Sequence, residues 1–410
     1  MSQAKIEATL KDHLQNTFST ANRIGVAVSG GGDSMALLAA TRKVCGKSPI
    51  TVFVATVDHQ LRDTAEAEIA LVAEFCKANN ITWSRLKWTD WDGAGNLQAK
   101  ARQARRDLLS EWAEDVGLDV VLMGHTKDDV AETFLMRLAR GSGVDGLSMI
   151  ATNFVHNNTH FFRPFLDISR SDLRGYLKAS KIPWAEDPSN DDPQFDRVRI
   201  RQSWEALEGL GLTRDRLVAT AQTMARTREA LDTQSIEAAK ASMLPMPLGF
   251  VEVSIDNFSN LPKEIKLRLV SRTLAWITGN SYRPRLVALE AFLNDALAGK
   301  ASTLHGCMVL PDGDKLILCR EPNAVDPGDK PKVFDNRWAT PIGAVLLNQN
   351  TLDLNKDCKT RVPKQEILQT LPTMIDDNGD PLEPLPDGKW GTMFSLLRPS
   401  HEFFTYIKSH

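Results

Sequence analysis

Six consecutive residues, Ser29, Gly30, Gly31, Gly32, Asp33 and Ser34, separate an apolar run (VAV) from a helix-forming run (MALLAA). Glycines can take positive φ and leave their N–H groups bare, and at the start of a helix such a loop becomes a cradle for an anion. The loop lacks the Gly-Lys-Ser/Thr ending of a Walker A motif and does not follow the G-x-G-x-x-G spacing of dinucleotide loops. A carboxylate in a phosphate cradle repels phosphate on its own, so Asp33 makes chemical sense where a divalent cation stands between it and phosphate oxygens. The same residue can also serve as a helix N-cap, and the two roles are compatible.

A second cluster lies in GHTKDDVAETFLMRLARGSGVDGL, residues 124–147. A helix starting near Thr126 brings His125, Asp129, Glu132 and Met136 close to one face, and Val130, Phe134, Leu135 and Leu138 to another. The first face joins an imidazole to a pair of carboxylates, a set suited to acid–base work or to holding a cation. Acidic residues in a first helical turn also simply complement the helix dipole. Cations gather in two places: Lys100, Arg102, Arg105 and Arg106 within 96–106, and Arg197, Arg199 and Arg201 beside Phe195. Arginines next to an aromatic suit phosphates and unstacked bases, and equally suit contacts between domains. Asp58 and His59 close a strand near the glycine loop, where they either face a ligand or cap the strand.

These residues need a frame that brings distant segments to one edge. Strand-like runs at 24–28, 50–57, 81–86 and 120–123 alternate with helical patterns at 33–44, 63–79 and 96–116, after a first helix with Ile6, Leu10 and Leu14 four apart. This alternation predicts an α/β domain with a mostly parallel sheet, whose ligands bind at the carboxyl ends of the strands. From about Arg199 long helical segments dominate, at 214–230 and 263–276, and a Pro- and Gly-containing stretch at 321–332 reads as a linker. The expected division is an α/β domain at 1–205, a mainly helical domain at 206–320 and a small α+β domain at 333–410. With 410 residues, 42% hydrophobic and a net charge of −3, the chain reads as a soluble globular protein. No apolar stretch is long enough to span a membrane, and the charged start does not resemble a signal peptide, so a cytoplasmic protein is expected. The cysteines, Cys45, Cys76, Cys307, Cys319 and Cys358, are scattered without a C-x-x-C pair, which suggests neither a disulfide framework nor a zinc site.

The 29–34 loop is similar to the S-G-G-x-D-S signature of the PP-loop ATP pyrophosphatases, which split ATP between its α and β phosphates. Together with VDHQLR at 57–62, NLQAKARQARR at 96–106, RPFLDISRSDLRGYL at 163–177 and WAEDPSNDDPQFDRVRIR at 184–201, segment 124–147 resembles tRNA(Ile)-lysidine synthetase. Weaker likeness continues at 282–307 and 362–376. The resemblance implies that ATP activates the wobble cytidine of a CAU-anticodon isoleucine tRNA by adenylation, and that free L-lysine then displaces AMP. It implies ATP binding by Ser29, Gly30, Gly31, Gly32, Asp33 and Ser34, and a Mg²⁺ facing Asp33 and Asp129. Asp33, His125, Asp129 and Glu132 would be catalytic, with Asp129 and Glu132 holding or deprotonating the lysine amine and His125 contacting nucleotide or the adenylated intermediate. Arg102, Arg105, Arg197, Arg199 and Arg201 would engage tRNA, with no membrane and no obligatory protein partner. Two departures stand out: Val130 where the family usually has Gln, and Arg106 where it often has Tyr. The alternative is a thiolase acting on tRNA cytidine or uridine with the same loop, which generally needs cysteines to carry sulfur or hold an iron–sulfur cluster.

Overall fold

A computed structural model of the chain describes residues 1–410 apart from 47, 61–64, 90, 92, 94, 187–193, 195, 281, 327–331, 341–344, 347–363, 374–390, 392 and 410. Contacts divide it into two units, Met1–Arg228 and Glu229–His410. The division falls inside a long helix, Arg214–Ser242.

The first unit alternates as its apolar periodicity requires: α1 (Gln3–Thr17), β1 (Arg23–Ala27), α2 (Gly32–Cys45), β2 (Thr51–Asp58), α3 (Ala65–Ala78), β3 (Thr82–Lys87), α4 (Leu97–Val116), β4 (Val120–Met123) and α5 (Lys127–Ala139). After a single turn, α6 (Val144–Leu147), come a hairpin, β5 (Asn153–His156) and β6 (Thr159–Phe162), then α7 (Arg170–Ser180), α8 (Asp196–Gln202), α9 (Trp204–Gly209) and α10 (Arg214–Ser242). Sheet order is β3-β2-β1-β4-β6-β5; only the edge strand β5 runs antiparallel to its neighbour. Four residues of β1 and all of β4 are buried, as expected of central strands covered on both faces. Ile6, Leu10 and Leu14 enter the core beneath α2. The chain runs outward from β1 through β2 to β3 and then returns to the other side of β1, so β1 and β4 flank the point where the winding reverses. A crevice opens beyond their carboxyl ends, and the loops after both strands line it.

The second unit contains the helix expected at 263–276 as α12 (Lys263–Thr278), together with α11 (Ile255–Ser259) and α13 (Leu286–Leu297), and adds a five-stranded antiparallel sheet. Its strands are β7 (Met243–Pro245), β8 (Val251–Ser254), β9 (Ser302–Leu304), β10 (Cys307–Asp312) and β11 (Lys315–Arg320), in the order β7-β8-β11-β10-β9. Most are too short for alternation to stand out in sequence; β7–β8, β9–β10 and β10–β11 pair with chain neighbours, whereas the β8–β11 pairing, Ser254 with Lys315 through Val251 with Leu318, joins distant segments and is set by the fold. The C-terminal helix Phe403–Ser409 shares a core with α12: Phe403 and Ile407 are fully buried there, Trp276 meets Phe403 edge to face at 5.1 Å, and Arg272 Nη1 donates to the Ile407 carbonyl at 2.5 Å. A chain ending at Pro322 is therefore expected to lose cooperative unfolding of the second unit, visible as loss of near-UV circular dichroism and early proteolysis beyond residue 229. A truncated chain whose 229–322 segment stays protease-resistant would show that the C-terminal segment is dispensable to that core. Among the described residues no helix is long and apolar enough to cross a membrane.

Candidate active site

The loop after β1 is tied back on itself. Ser29 N–H donates to Ser34 Oγ at 3.1 Å, and Ser34 Oγ donates to the Gly31 carbonyl at 2.9 Å, which shapes the turn into α2. Gly30 sits at φ +91°, and a Cβ there would lie 2.9 Å from the Glu68 carbonyl oxygen, so only glycine fits. Gly124, in the loop after β4, lets the two loops touch: a Cβ would stand 3.0 Å from Ser34 Cα. Ala185 N–H donates to the Gly30 carbonyl at 3.0 Å and brings the WAE segment to the same edge.

The α5 start is a capping box. Thr126 is the N-cap, and Asp129 Oδ2 accepts from Thr126 N–H and Oγ, both at 2.8 Å. Asp129 thus has both roles open to it in sequence, because Oδ2 caps the helix while the residue also lines the crevice. Val130 lies in a separate apolar cluster beneath α5, off the polar face, and Met136 lines a different groove with Leu135 and Arg140. Leu138, expected on the apolar face, is exposed.

The residue that organises the site was not legible as such: Arg170, at the start of α7. Its Nε donates to Asp33 Oδ2 at 3.0 Å, Nη1 to Glu132 Oε1 at 3.0 Å and Nη2 to Asp129 Oδ1 at 3.4 Å. Its backbone N–H donates to Asp128 Oδ2 at 2.8 Å, and Arg214 Nε takes Asp128 Oδ1 at 2.8 Å, so Asp128 ties α5 to α7 and α10. Glu132 is fully buried, and Arg201 Nε and Nη2 donate to its oxygens at 2.7 and 3.2 Å. Among the described residues it binds arginines and does not line the crevice. The only sequence signal for Arg170 was its place inside the RPFLDISRSDLRGYL segment.

Charge in this cluster is finely set. Burial, with Asp129 and Asp128 nearby, pushes the Asp33 carboxyl above its ordinary range despite Arg170. Burial works the same way on Asp129, but Arg170, Arg197 and the Thr126 N–H outweigh it and hold that carboxyl below the usual range. Asp33 Oδ1 is buried and has no hydrogen-bond partner among the described residues. An orphaned carboxylate oxygen beside a phosphate cradle fits a divalent cation. Asp129 fits less directly, since Oδ2 is committed to the cap. No three described His, Cys, Asp or Glu residues form a metal cage, so an ion at Asp33 would draw its other ligands from phosphate and water.

These groups surround an open cavity of about 730 Å³ lined by the glycine loop, Asp33, His125, Asp129, Arg170 and Arg201 together with Arg105 and Arg197. A side cavity of about 230 Å³ adjoins it between the ends of β1 and β2, lined by Ser29, Thr56, Asp58, His59 and Arg105. Asp58 there is paired with Arg85 at 2.7 Å, and His59 packs edge to face on Trp88. Of the expected RNA-contacting arginines, Arg105, Arg197 and Arg201 line the main cavity, and Arg102 is close enough to Arg197 and Arg106 that burial and their charges lower its pKa. Arg199 pairs with Asp196 and lines the separate groove, and Arg201 turns inward to Glu132. Arg106, at the family's Tyr position, donates to the Gln103 side chain at 2.7 Å. Phe195 lies outside the described residues.

Comparison with known proteins adds three findings. A family model described as a PP-loop domain, ATP_bind_3, matches residues 2–206. The tRNA(Ile)-lysidine synthase of Ruegeria pomeroyi is 41% identical over 333 residues, 80% of this chain and 79% of that one. Enzymes of the same name from Wolbachia pipientis wMel and Rhodopseudomonas palustris are 33% and 34% identical, over 87% and 77% of this chain and 83% and 96% of theirs.

Proposed function

The chain belongs to the tRNA(Ile)-lysidine synthase family, and from this premise we propose that it joins free L-lysine to C2 of the wobble cytidine of a CAU-anticodon isoleucine tRNA in the cytoplasm. ATP is cleaved to AMP and pyrophosphate. The observation that carries this reading is one cavity holding a phosphate loop, a carboxylate cluster and Arg105 and Arg197, neither paired with a carboxylate among the described residues. The C2 oxygen of cytosine attacks the α-phosphorus, pyrophosphate leaves, and the lysine ε-amine then attacks C2 and expels AMP.

The phosphates lie on the Ser29–Gly30–Gly31–Gly32–Ser34 cradle at the α2 N-terminus, and the side cavity takes the nucleoside. Bound at Asp33, Mg²⁺ would neutralise phosphate charge. Negative charge growing on the leaving pyrophosphate meets loop N–H groups and Arg170, fixed in advance of the reaction. Lysine enters as an ammonium, since its pKa in water is about 10.4. Asp129, which lines the cavity and whose carboxyl is held below the usual range, holds that ammonium. The ammonium first gives up one proton to bulk water, leaving an amine whose lone pair can attack C2; as the carbon–nitrogen bond forms the nitrogen becomes acidic, and a carboxylate then suffices to take the second proton. Arg102, Arg105 and Arg197 receive RNA phosphates and the splayed anticodon base.

Sulfur chemistry finds no support among the described cysteines. Cys45, Cys76, Cys307 and Cys319 are all buried, and burial pushes the Cys45 and Cys76 thiols up to about 11 and Cys319 to about 12. A thiol of that kind is a poor sulfur carrier. The test is incubation of the protein with ATP, radiolabelled lysine and purified isoleucine or methionine tRNA. Acid-precipitable label on the isoleucine tRNA with matching pyrophosphate is the expected result. Pyrophosphate release without label on any tRNA would overturn the reading.

A further inference from the structure

We propose that Arg163 is a positioning residue that fixes His125 as a neutral ring with its proton on Nε2, so that the imidazole acts as a hydrogen-bond donor and not as the base. The inference rests on the reading of His125 as a residue that touches nucleotide or intermediate. It also answers which cavity group is left to take the lysine proton.

Arg163 follows β6 and is braced on several sides. Its backbone N–H donates to the Thr152 carbonyl at 2.8 Å, Nη1 donates to the Ala151 carbonyl, and the guanidinium lies 4.3 Å over the ring of Phe154. Phe154 is itself stacked on Phe161 across the β5–β6 hairpin, with ring centres 4.9 Å apart. From this brace Arg163 Nε donates to His125 Nδ1 at 3.3 Å. A guanidinium has donors and no acceptor, so the ring nitrogen facing it must offer a lone pair. The neutral tautomer with N–H at Nε2 is the one that satisfies the contact, and a proton on Nδ1 would set donor against donor. His125 N–H is anchored too, donating to the Met123 carbonyl at the end of β4 at 3.0 Å.

The charges around the ring act in the same sense. Burial disfavours the imidazolium most, Asp129 on α5 favours it, and Arg163, Arg105 on α4 and Arg197 on α8 oppose it. The outcome is a histidine held at about 3, neutral throughout the physiological range. Arg163, lowered to about 10 by burial and by Arg106, Arg102 and Arg105, stays a cation there. With Nδ1 engaged and Nε2 already carrying a proton, the ring has no site for the lysine proton. It can donate to an oxygen that gains negative charge, on the α-phosphate or at C2, and the carboxylate of Asp129 is left to accept the proton.

The experiment uses full-length protein labelled with ¹⁵N-histidine, with the His125 signals identified by their loss in His125→Gln. Long-range ¹H–¹⁵N spectra of the wild type are expected to show a ring protonated at Nε2 that does not titrate between pH 5 and 8. In Arg163→Gln the tautomers are expected to mix and the pKa to climb toward its ordinary value, because an opposing cation is gone while Asp129 remains. Arg163→Lys keeps the charge and serves as a second variant should the glutamine form fold poorly. Pyrophosphate release by Arg163→Gln should fall roughly 10–100-fold in kcat with little change in KM for lysine. A wild-type ring protonated at Nδ1, or one that titrates near neutrality, would overturn the role of Arg163 whatever the enzyme does. Spectra as expected with unchanged kcat would overturn the reading of His125 instead.

Discussion

Asp33→Asn is expected to lower pyrophosphate release in the presence of ATP, Mg²⁺, lysine and isoleucine tRNA by about 1000-fold, the scale of removing a preorganised electrostatic group. The side chain keeps its shape and loses its charge. Asp33 Oδ1 is a buried acceptor without a partner among the described residues, and a neutral amide placed there no longer offers a charged oxygen to a cation. Raising the Mg²⁺ concentration should not restore the rate. Thermal stability should shift by only a few degrees, because Arg170 keeps its bonds to Asp129 and Glu132 and the repulsion between Asp33 and Asp129 is relieved. If Asp33 did no more than favour the dipole of α2, its replacement would cost under about 1 kcal/mol of stability and leave turnover near wild type. Parallel measurement of pyrophosphate release and thermal unfolding separates these outcomes, and near-normal turnover in a folded variant removes Asp33 from the chemistry.

Glu132→Ala is expected to destabilise the first unit by about 3 kcal/mol, toward the low end for breaking a buried ion pair because Arg170 and Arg201 reach partly into solvent. The carboxylate has no exposed surface, and its oxygens accept from Arg170 and Arg201. Glu132→Gln retains one acceptor oxygen and turns a donor toward the other arginine, so its loss should be smaller. The kinetic signature is specific. Arg170 also holds Asp33 and Asp129, so Glu132→Gln should slow pyrophosphate release as well as lysine transfer. A glutamate that touched the lysine amine directly would raise KM for lysine and leave pyrophosphate release alone. Denaturant unfolding gives the first quantity and the two half-reactions give the second. An increase confined to lysine KM would return Glu132 to the substrate-binding role expected from the family resemblance.

Much of the site could be read before any coordinate, because the rules involved are local. Three glycines before a helix make a cradle through their own torsions, and the spacing of Thr126, Asp129 and Glu132 places them on one turn and the next of α5. The alternation of apolar runs requires a mostly parallel sheet, which puts the carboxyl ends of its parallel strands at one edge; that β1 and β4 are neighbours there is decided by the strand order. Burial of Ile6, Leu10 and Leu14 follows from a period of nearly four. The local rules were silent on choices between equivalent local options. They allowed Asp129 to be a cap or a cavity carboxylate, and in the structure Oδ2 caps the helix, Oδ1 accepts from Arg170 and the residue lines the cavity.

What tertiary structure alone decided is which charges meet. Arg170 stands 137 residues from Asp33 and 38 from Glu132, and nothing in its own neighbourhood distinguishes it from the other arginines of the chain. Its place between the carboxylates arises because α7 packs against α2 and begins beside the α5 N-terminus, where Asp128 receives its backbone N–H. Arg163 is likewise aimed at His125 by a hairpin whose short strands leave little trace in the sequence. The sharing of one core by α12 and the C-terminal helix has the same origin. Torsional preference, capping and periodicity act over a few residues and are written in the sequence directly. An ion pair between remote side chains is favourable only after the sheet and its helices have met the entropic cost of bringing those segments together, so it belongs to the fold as a whole.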